Sequence, residues 1–397
     1  MEMYGDIPVC GNPVDQGALD QIKRSRESCE FAALMADHHK GYGVPIGGVV
    51  ASQVSVSPTA VGFDIACGNL AARVDIDAAK VRSNIKPIMD KIASQISFGV
   101  GRSRDWDLDH PLFDSPLWKQ LPAFQQKSPK GQTLKDTAQE QLGTVGSGNH
   151  YVDLFLDEQD RVWIGVHFGS RGFGHKTATW FLDAVGASGS MEAAPVWFAT
   201  ESDLGEQYIK ALDLAGQYAY AGREAVVDKV AGILGTEIVE TVHNHHNFAW
   251  KEKHNGLDYW VCRKGATPAQ PGQKGFVGGS MGDNAVIIEG IESEESKRLF
   301  YSTVHGAGRV MSRTAAGGKS RWGKKRSGGL IAPEDMMKWV RQKGVELRGG
   351  DVDEAPQAYK RLDEVLPQQG NTIRILHTLR PIGVAMAGHD IFDPYKD

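Results

Sequence analysis

Five short segments of this chain place a metal-ligating or nucleophilic side chain beside glycine or asparagine. They are Asp64 and Cys67 in FDIACGN, Asn149 and His150 in GSGNH, and His167 in HFGSRG. The others are His243, His245 and His246 in VHNHHNF, and His305 in HGAGR. Each sits at what reads as a strand end, where glycine lets a ligand approach the backbone closely. One such segment is ordinary, because a lone histidine on a strand is commonly a hydrogen-bonded core residue. Five non-adjacent repeats of the design point to a fold that gathers strand ends around one site.

Asp64 and Cys67 are three residues apart, so one tight loop can aim a carboxylate and a thiolate at the same point. With imidazoles from other segments they form a mixed S/N/O donor set, suited to Zn2+, or to Mn2+ when substrate oxygens complete the shell. Strand alternation in VHNHHNF sends His243 and His245 to one face and His246 with Asn244 to the other, so at most half of that cluster can face a metal. His305 ends the apolar run 298–304, which reads as a buried strand. Its place before Gly306 and Gly308 leaves three roles open: nucleophile, metal ligand, or satisfied buried histidine. Arg309 and Arg313 follow four residues apart and share a face if a helix succeeds the bend. Arg171 in GSRG, Lys264 in CRKGATPA, Arg309 and Arg313 all lie near glycines whose exposed N–H groups favour an anion. Ser280 in VGGSMGDN lies in another such loop. The basic run KSRWGKKR (319–326) could track a nucleic-acid backbone, although taken alone it is better read as a solvated loop.

The surrounding pattern is that of a mixed domain. Residues 15–39 show a helical apolar stripe, 78–96 a helix with a kink at Pro87, and 201–234 the longest helix, weakened by Gly216 and Gly222. Shorter helices are expected from Pro333 and over 355–366. Strands are expected within 59–75, around a tight loop, and at 142–157, 161–168, 237–243, 258–262, 284–289, 297–304 and 372–386. The polar stretch 101–140 reads as a surface excursion. No repeat or linker divides the 397 residues, so the expectation is one large α+β domain over 1–397, a β-sheet core with helical insertions. A chain 41% hydrophobic and 23% charged can build a real core, and no apolar run approaches a membrane span. The start of the chain lacks a signal-peptide pattern, and four scattered cysteines do not make a disulfide framework, so the reading is a reducing cytoplasm. A net charge of -5 argues against a broad nucleic-acid-coating surface but not against a local basic site.

Together these motifs resemble the RtcB family of RNA-splicing ligases. The matching stretches are GVPIGGVV, GFDIACGN, LGTVGSGNHYVD, VHFGSRGFG, HHNF, RKGATPA, GGSMG, HGAGRVMSR and DEAPQAYKRLDEV, in family order over most of the chain. The resemblance implies an RtcB-like fold and a GTP- and Mn2+-dependent ligase. Such an enzyme joins RNA ends bearing a 2′,3′-cyclic phosphate or 3′-phosphate to 5′-hydroxyl ends through a covalent histidine–GMP intermediate, in RNA repair or tRNA splicing. It implies His305 as the guanylylated nucleophile and Cys67 as a bridge between two Mn2+ ions. One ion would also be held by His167 and His246, the other by Asp64 and His150. Asn149, Asp153, Ser280 and Tyr359 would contact the nucleotide; Arg171, Lys264, Arg309 and Arg313 would hold GTP phosphates or the RNA terminus. Archease is the candidate activating partner. Two positions depart from the family pattern. Asp153 stands where Glu is usual, and Ala387 where a lysine normally contacts guanine, so strict GTP use is in question. A metal-dependent RNA-end phosphodiesterase or phosphatase without a nucleotide step is the alternative, and a non-catalytic RNA-end-binding protein a third reading.

Overall fold

The computed structural model describes the chain apart from residues 130, 188–189, 322–323, 390 and 392–397, and apart from the side chains of 319–321 and 324–327. The basic run 319–326 and the tail to Asp397 therefore lie largely outside the described residues. The architecture is mixed α/β, as expected, built on two large sheets.

The larger sheet has eight strands. In spatial order these are Ile238–His245, Gly68–Val74, Val162–Phe168, Tyr151–Leu156, Ile373–Gly388, Ala285–Gly290 and Lys274–Val277, with Glu346–Gly350 pairing parallel to the end of Ile373–Gly388. The sheet curls until its outermost strands meet. The Asn244 side-chain carbonyl accepts from the Phe276 N–H (2.9 Å), and the Asn69 amide donates to the Phe276 carbonyl (2.8 Å). Inside the curl, Ala71, Phe155, Trp163, Val242, Phe276, Ile287 and Leu379 form one apolar cluster. The second sheet has six strands, ordered Glu2–Tyr4, Ile7–Val9, Phe31–His39, Ile46–Ser52, Leu257–Lys264 and Asn247–His254.

The helix Asp203–Leu234 joins the two cores. Its first half buries Tyr208, Leu212, Ala215 and Tyr218 in the cluster beside the six-stranded sheet. Its second half lays Val226, Val227, Val230 and Leu234 on Leu70, Ile164 and Val166 of the larger sheet. Ser202 caps its start by accepting from the Gly205 N–H, and Gly235, with φ +67°, ends it in the left-handed region. Gly216 costs helix propensity, but a Cβ there would stand 2.8 Å from the Phe248 ring, so the glycine permits close packing.

Several expected elements differ. The helix expected over 15–39 covers only Gln16–Arg26; Phe31–His39 is a strand of the six-stranded sheet. That strand is covered on both faces, so its apolar residues do not alternate, and a short apolar run of this kind cannot be told from a helix by period alone. Residues 58–61 form one helical turn capped by Ser57, not a strand. The helix expected at 78–96 breaks at Asn84, not at Pro87, which sits in the first turn of Ile85–Gln95 where its missing N–H is not needed. The stretch 101–140 is no excursion, since Leu112, Phe113, Trp118, Leu121 and Phe124 belong to the main core. The strand expected at 297–304 is a short helix, Glu294–Arg298, then left-handed Phe300 and Tyr301 (φ +48° and +46°) and a strand of Ser302–Val304 only. In 355–366 the helical part is Pro356–Ala358, Leu362–Val365 and the start of the turn Leu366–Gln369.

Candidate metal and nucleotide site

Cys67 and His167 sit at the same end of adjacent strands of the larger sheet. Asn69 pairs with His167 and Gly68 with Phe168, which brings the loop before Gly68 over the end of Val162–Phe168. The loop is turned by Gly62 (φ +90°) and by Ala66, a non-glycine residue in the left-handed region (φ +59°). It is pinned by the Cys67 N–H on the Asp64 carbonyl (3.1 Å) and the Ser170 N–H on the Ile65 carbonyl (3.1 Å). The His246 N–H donates to the Cys67 carbonyl (2.8 Å), which places the end of the fourth segment against the same loop.

The result is two overlapping groups of ligand atoms, each within 4.8 Å of one another: Cys67, His167 and His246, and Asp64, Cys67 and His150. The Cys67 Sγ lies 3.2 Å from His167 Nε2 and 3.8 Å from His150 Nε2, and His150 Nε2 lies 3.1 Å from Asp64 Oδ2. Burial, reinforced by neighbouring charges, holds His167 and His246 well below the usual imidazole range, the neutral form in which an imidazole can ligate a metal. Enclosure favours a neutral Asp64, but the His150 ring outweighs it and keeps that carboxyl at about 2. Burial and the Asp64 charge push the Cys67 thiol up, and a divalent cation is what stabilises the thiolate in such a place. The His246 Nδ1 is buried without a hydrogen-bond partner. A soft, mixed S/N/O donor set shared through one sulfur fits two transition-metal cations.

His305 lies outside both groups but next to them, its ring 4.9 Å from that of His246. Asp37, fully buried on Phe31–His39, holds it. The Asp37 Oδ2 is 2.6 Å from His305 Nδ1 and accepts from the backbone N–H groups of His305 and Gly306 (3.0 and 3.2 Å). Burial opposes the charge on Asp37, but His305 outweighs it and draws the carboxyl below its ordinary value. Gly308 lets the chain pass this carboxylate's strand: with φ +76°, a Cβ there would stand 2.1 Å from the Asp37 carbonyl oxygen.

The other expected site residues surround this centre. Arg309 and Arg313 do not share a helical face, because the helix begins only at Arg313. Glu354 joins them instead, 3.1 Å from Arg309 Nη1 and 2.8 Å from Arg313 Nε. Tyr359 donates its hydroxyl proton to Glu354, accepts from Arg309 (2.8 Å), and has its ring under the guanidinium. Arg171, itself left-handed (φ +57°), reaches the Thr144 hydroxyl (3.4 Å) and the Gly99 carbonyl (3.3 Å), with Nη1 3.4 Å from His150 Nδ1. Lys264 is buried and donates to the Tyr42 and Thr59 carbonyls (2.6 and 3.2 Å); with no carboxylate among these partners, burial lowers it to about 7. Ser280 donates to Asp283 (2.6 Å), which also takes Arg361 (2.7 Å). Asn149 is half-buried between Gly148 and His150. Asp153 is 8% exposed, its Oδ1 has no partner, and burial pushes its carboxyl well above the usual range. Ala387 is buried near the end of Ile373–Gly388, the strand whose Val384 pairs with Asp153.

Sequence reasoning missed Asp37 and Glu354. Asp37 was hidden inside a stretch read as a helix, although an acid within the apolar run FAALMAD was its signal. Glu354 is the second residue of the DEAPQAY motif but shows no spacing relation to the arginines it joins.

A family model described as tRNA-splicing ligase RtcB matches residues 19–387. The RNA-splicing ligase RtcB of Escherichia coli strain K12 is 33% identical over 94% of this chain and 94% of its own length. The tRNA-splicing ligases RtcB of Archaeoglobus fulgidus and Thermococcus kodakarensis are 32% and 30% identical, over 89% and 90% of this chain and 86% and 87% of theirs. With its whole candidate site inside the matched span, the chain belongs to the RtcB family.

Proposed function

We propose that this chain is a 3′-phosphate/5′-hydroxyl RNA ligase that uses GTP and two Mn2+ ions and works through guanylylation of His305. The observation that carries the reading is the placement of His305: beside two candidate metal groups, part of neither, and held from behind by Asp37. A carboxylate against Nδ1 favours the tautomer whose Nε2 carries the free electron pair. Nε2 attacks the α-phosphorus of GTP; a P–N bond forms and pyrophosphate leaves. Water first opens a 2′,3′-cyclic RNA end: the P–O2′ bond breaks, leaving a 3′-phosphate and a 2′-hydroxyl. An oxygen of that phosphate then takes GMP from His305, which gives the RNA a good leaving group. The 5′-hydroxyl oxygen attacks the activated phosphorus in line, its proton is lost, and GMP departs.

Mn2+ held by Asp64, Cys67, His150, His167 and His246 supplies charge neutralisation on the reacting phosphates. Arg171, Lys264, Arg309 and Arg313 orient GTP phosphates and the RNA end, since phosphoryl transfer is chiefly positioning and electrostatics. Asn149, Ser280 and Tyr359 border the nucleotide. Asp153 meets the base through its unpartnered carboxyl, whose arm is one methylene shorter than that of Glu. With no cation at Ala387, base choice is relaxed. Archease remains the candidate activator, and the chain acts as one catalytic unit in the cytoplasm. Among the described residues no helix is long and apolar enough to cross a membrane.

Incubation of the purified protein with Mn2+ and each α-labelled nucleoside triphosphate, followed by intact-mass measurement, tests this. A nucleotide adduct that disappears in His305→Ala is expected, with GTP preferred but not exclusive. No adduct with any triphosphate would refute the ligase reading; a strong GTP-only label would refute the relaxed base choice alone.

A further inference from the structure

Arg223 lies on the buried face of the helix Asp203–Leu234 and is fully inaccessible to solvent. A guanidinium in such a place normally answers a carboxylate. The bonds of Arg223 go elsewhere. Its Nη1 donates to the Ala66 carbonyl (3.0 Å) and to the Phe168 carbonyl (2.6 Å). Its Nη2 lies 2.9 Å from His245 Nδ1, and its Nε donates to His243 Nε2 (2.8 Å).

Three of these partners are chain neighbours of ligands in one candidate metal group. Ala66 precedes Cys67, Phe168 follows His167, and His245 precedes His246. These ligands come from three different segments, and one rigid planar fork touches all three segments. The fork also holds the left-handed peptide at Ala66 by its carbonyl. His243 completes the fork from the outer part of the same strand, and Tyr220 stacks on His245 with the guanidinium 5.3 Å from its ring. The two histidines of VHNHHNF that face away from the metal group thus have a use: they seat the arginine that sets the ligands.

We propose that Arg223 is the positioning residue of the Cys67–His167–His246 metal site, fixing the separation of its three ligands through their backbone neighbours. The proposal rests on the metal reading given above. Arg223 makes no hydrogen bond to a chain neighbour of His150, and its hydrogen bonds reach the Asp64–Cys67–His150 group only through Ala66, so its effect is selective. A lysine keeps the charge but offers one nitrogen where three are used, which separates geometry from electrostatics.

Titration of the full-length chain with Mn2+ by calorimetry, and with Co2+ by thiolate-to-metal absorption, provides the test. Wild type is expected to bind two cations, and Cys67→Ser to lose the absorption band. In a His150→Ala background, which leaves the Cys67–His167–His246 site, Arg223→Lys is expected to weaken binding roughly 10–100-fold. In a His167→Ala background, which leaves the other site, it should change affinity by less than about threefold, well below that range. Unchanged affinity at the first site, or equal loss at both, overturns the role of Arg223 while the metal reading stands. A wild-type chain that binds neither cation sinks the metal reading and this proposal with it. If Arg223→Lys lacks a cooperative melt without metal, His243→Ala decides: it removes one anchor of the fork, touches no ligand, and should weaken only the first site. Unchanged affinity there also overturns the proposal.

Discussion

The Asp37 carboxylate stands 2.6 Å from Nδ1 of His305 and receives the backbone N–H groups of His305 and Gly306. One buried acid therefore holds the local backbone of the proposed nucleophile and stands where it would favour one ring tautomer. Asp37→Asn keeps the shape but can present an amide N–H to Nδ1, which favours the wrong tautomer. The guanylylation rate is expected to fall about a hundredfold or more, in line with the cost of a misplaced reacting group. Single-turnover labelling measures the rate, and Mn2+ affinity should stay near that of wild type.

Glu354 is 3% exposed at its side chain and answers both Arg309 and Arg313. Glu354→Gln leaves two guanidinium groups facing a neutral amide. Loss of one partner from a fully buried pair costs about 3–5 kcal/mol; the part-exposed arginines bring the expectation to about 2–3 kcal/mol. Urea unfolding checks the value. With their shared carboxylate gone, the two arginines should also bind RNA 3′-phosphate ends in poorer register, lowering ligation more than guanylylation.

Asp153 carries a pH signature. Burial raises its folded-state pKa well above the ordinary value. Its contribution to stability is therefore fully present below the unfolded pKa of about 3.9 and is lost as pH rises through the folded value. Asp153→Asn removes that loss. The variant should be the more stable protein at neutral pH, and its advantage should shrink toward zero near pH 4. Melting of the metal-free protein across that range measures the difference.

Trp118 lies among the rings of Phe113, Phe124 and Phe173 with 4% exposure. Trp118→Ala is expected to cost about 3–5 kcal/mol. Chemical denaturation will show it; a loss under about 1 kcal/mol would mean that this segment is dispensable to the core.

The legible part of this protein is the clustering of its candidate site residues. Asp64, Cys67, His150, His167, His246 and His305 lie in the motifs that carry the family resemblance, and the structure gathers all six; His243 and His245 share the local pattern yet face Arg223, so pattern alone does not separate a ligand from a core histidine. The helix Asp203–Leu234 and the antiparallel pair Tyr151–Leu156 and Val162–Phe168 are legible because their periods are long or clean. What escapes is set by tertiary context. Phe31–His39 reads as helix because burial on both faces erases alternation. The stretch 101–140 reads as surface because its polar residues outnumber the few large rings that anchor it. Asp37, Glu354 and Arg223 act through partners far away in the chain, and no local spacing announces such partners.

The seam of the curled sheet has a kinetic meaning. Asn244, which closes the seam on Phe276, stands two residues before His246. Opening of the seam therefore displaces the strand that leads into the candidate ligand His246, while Cys67 directly precedes, and His167 lies on, the next two strands of the same side, so a cation held by the three would stiffen that side of the seam. The barrel should exchange the Phe276 amide proton slowly when loaded and faster when stripped. Metal occupancy would then be legible at Phe276, a seam residue that holds no ligand.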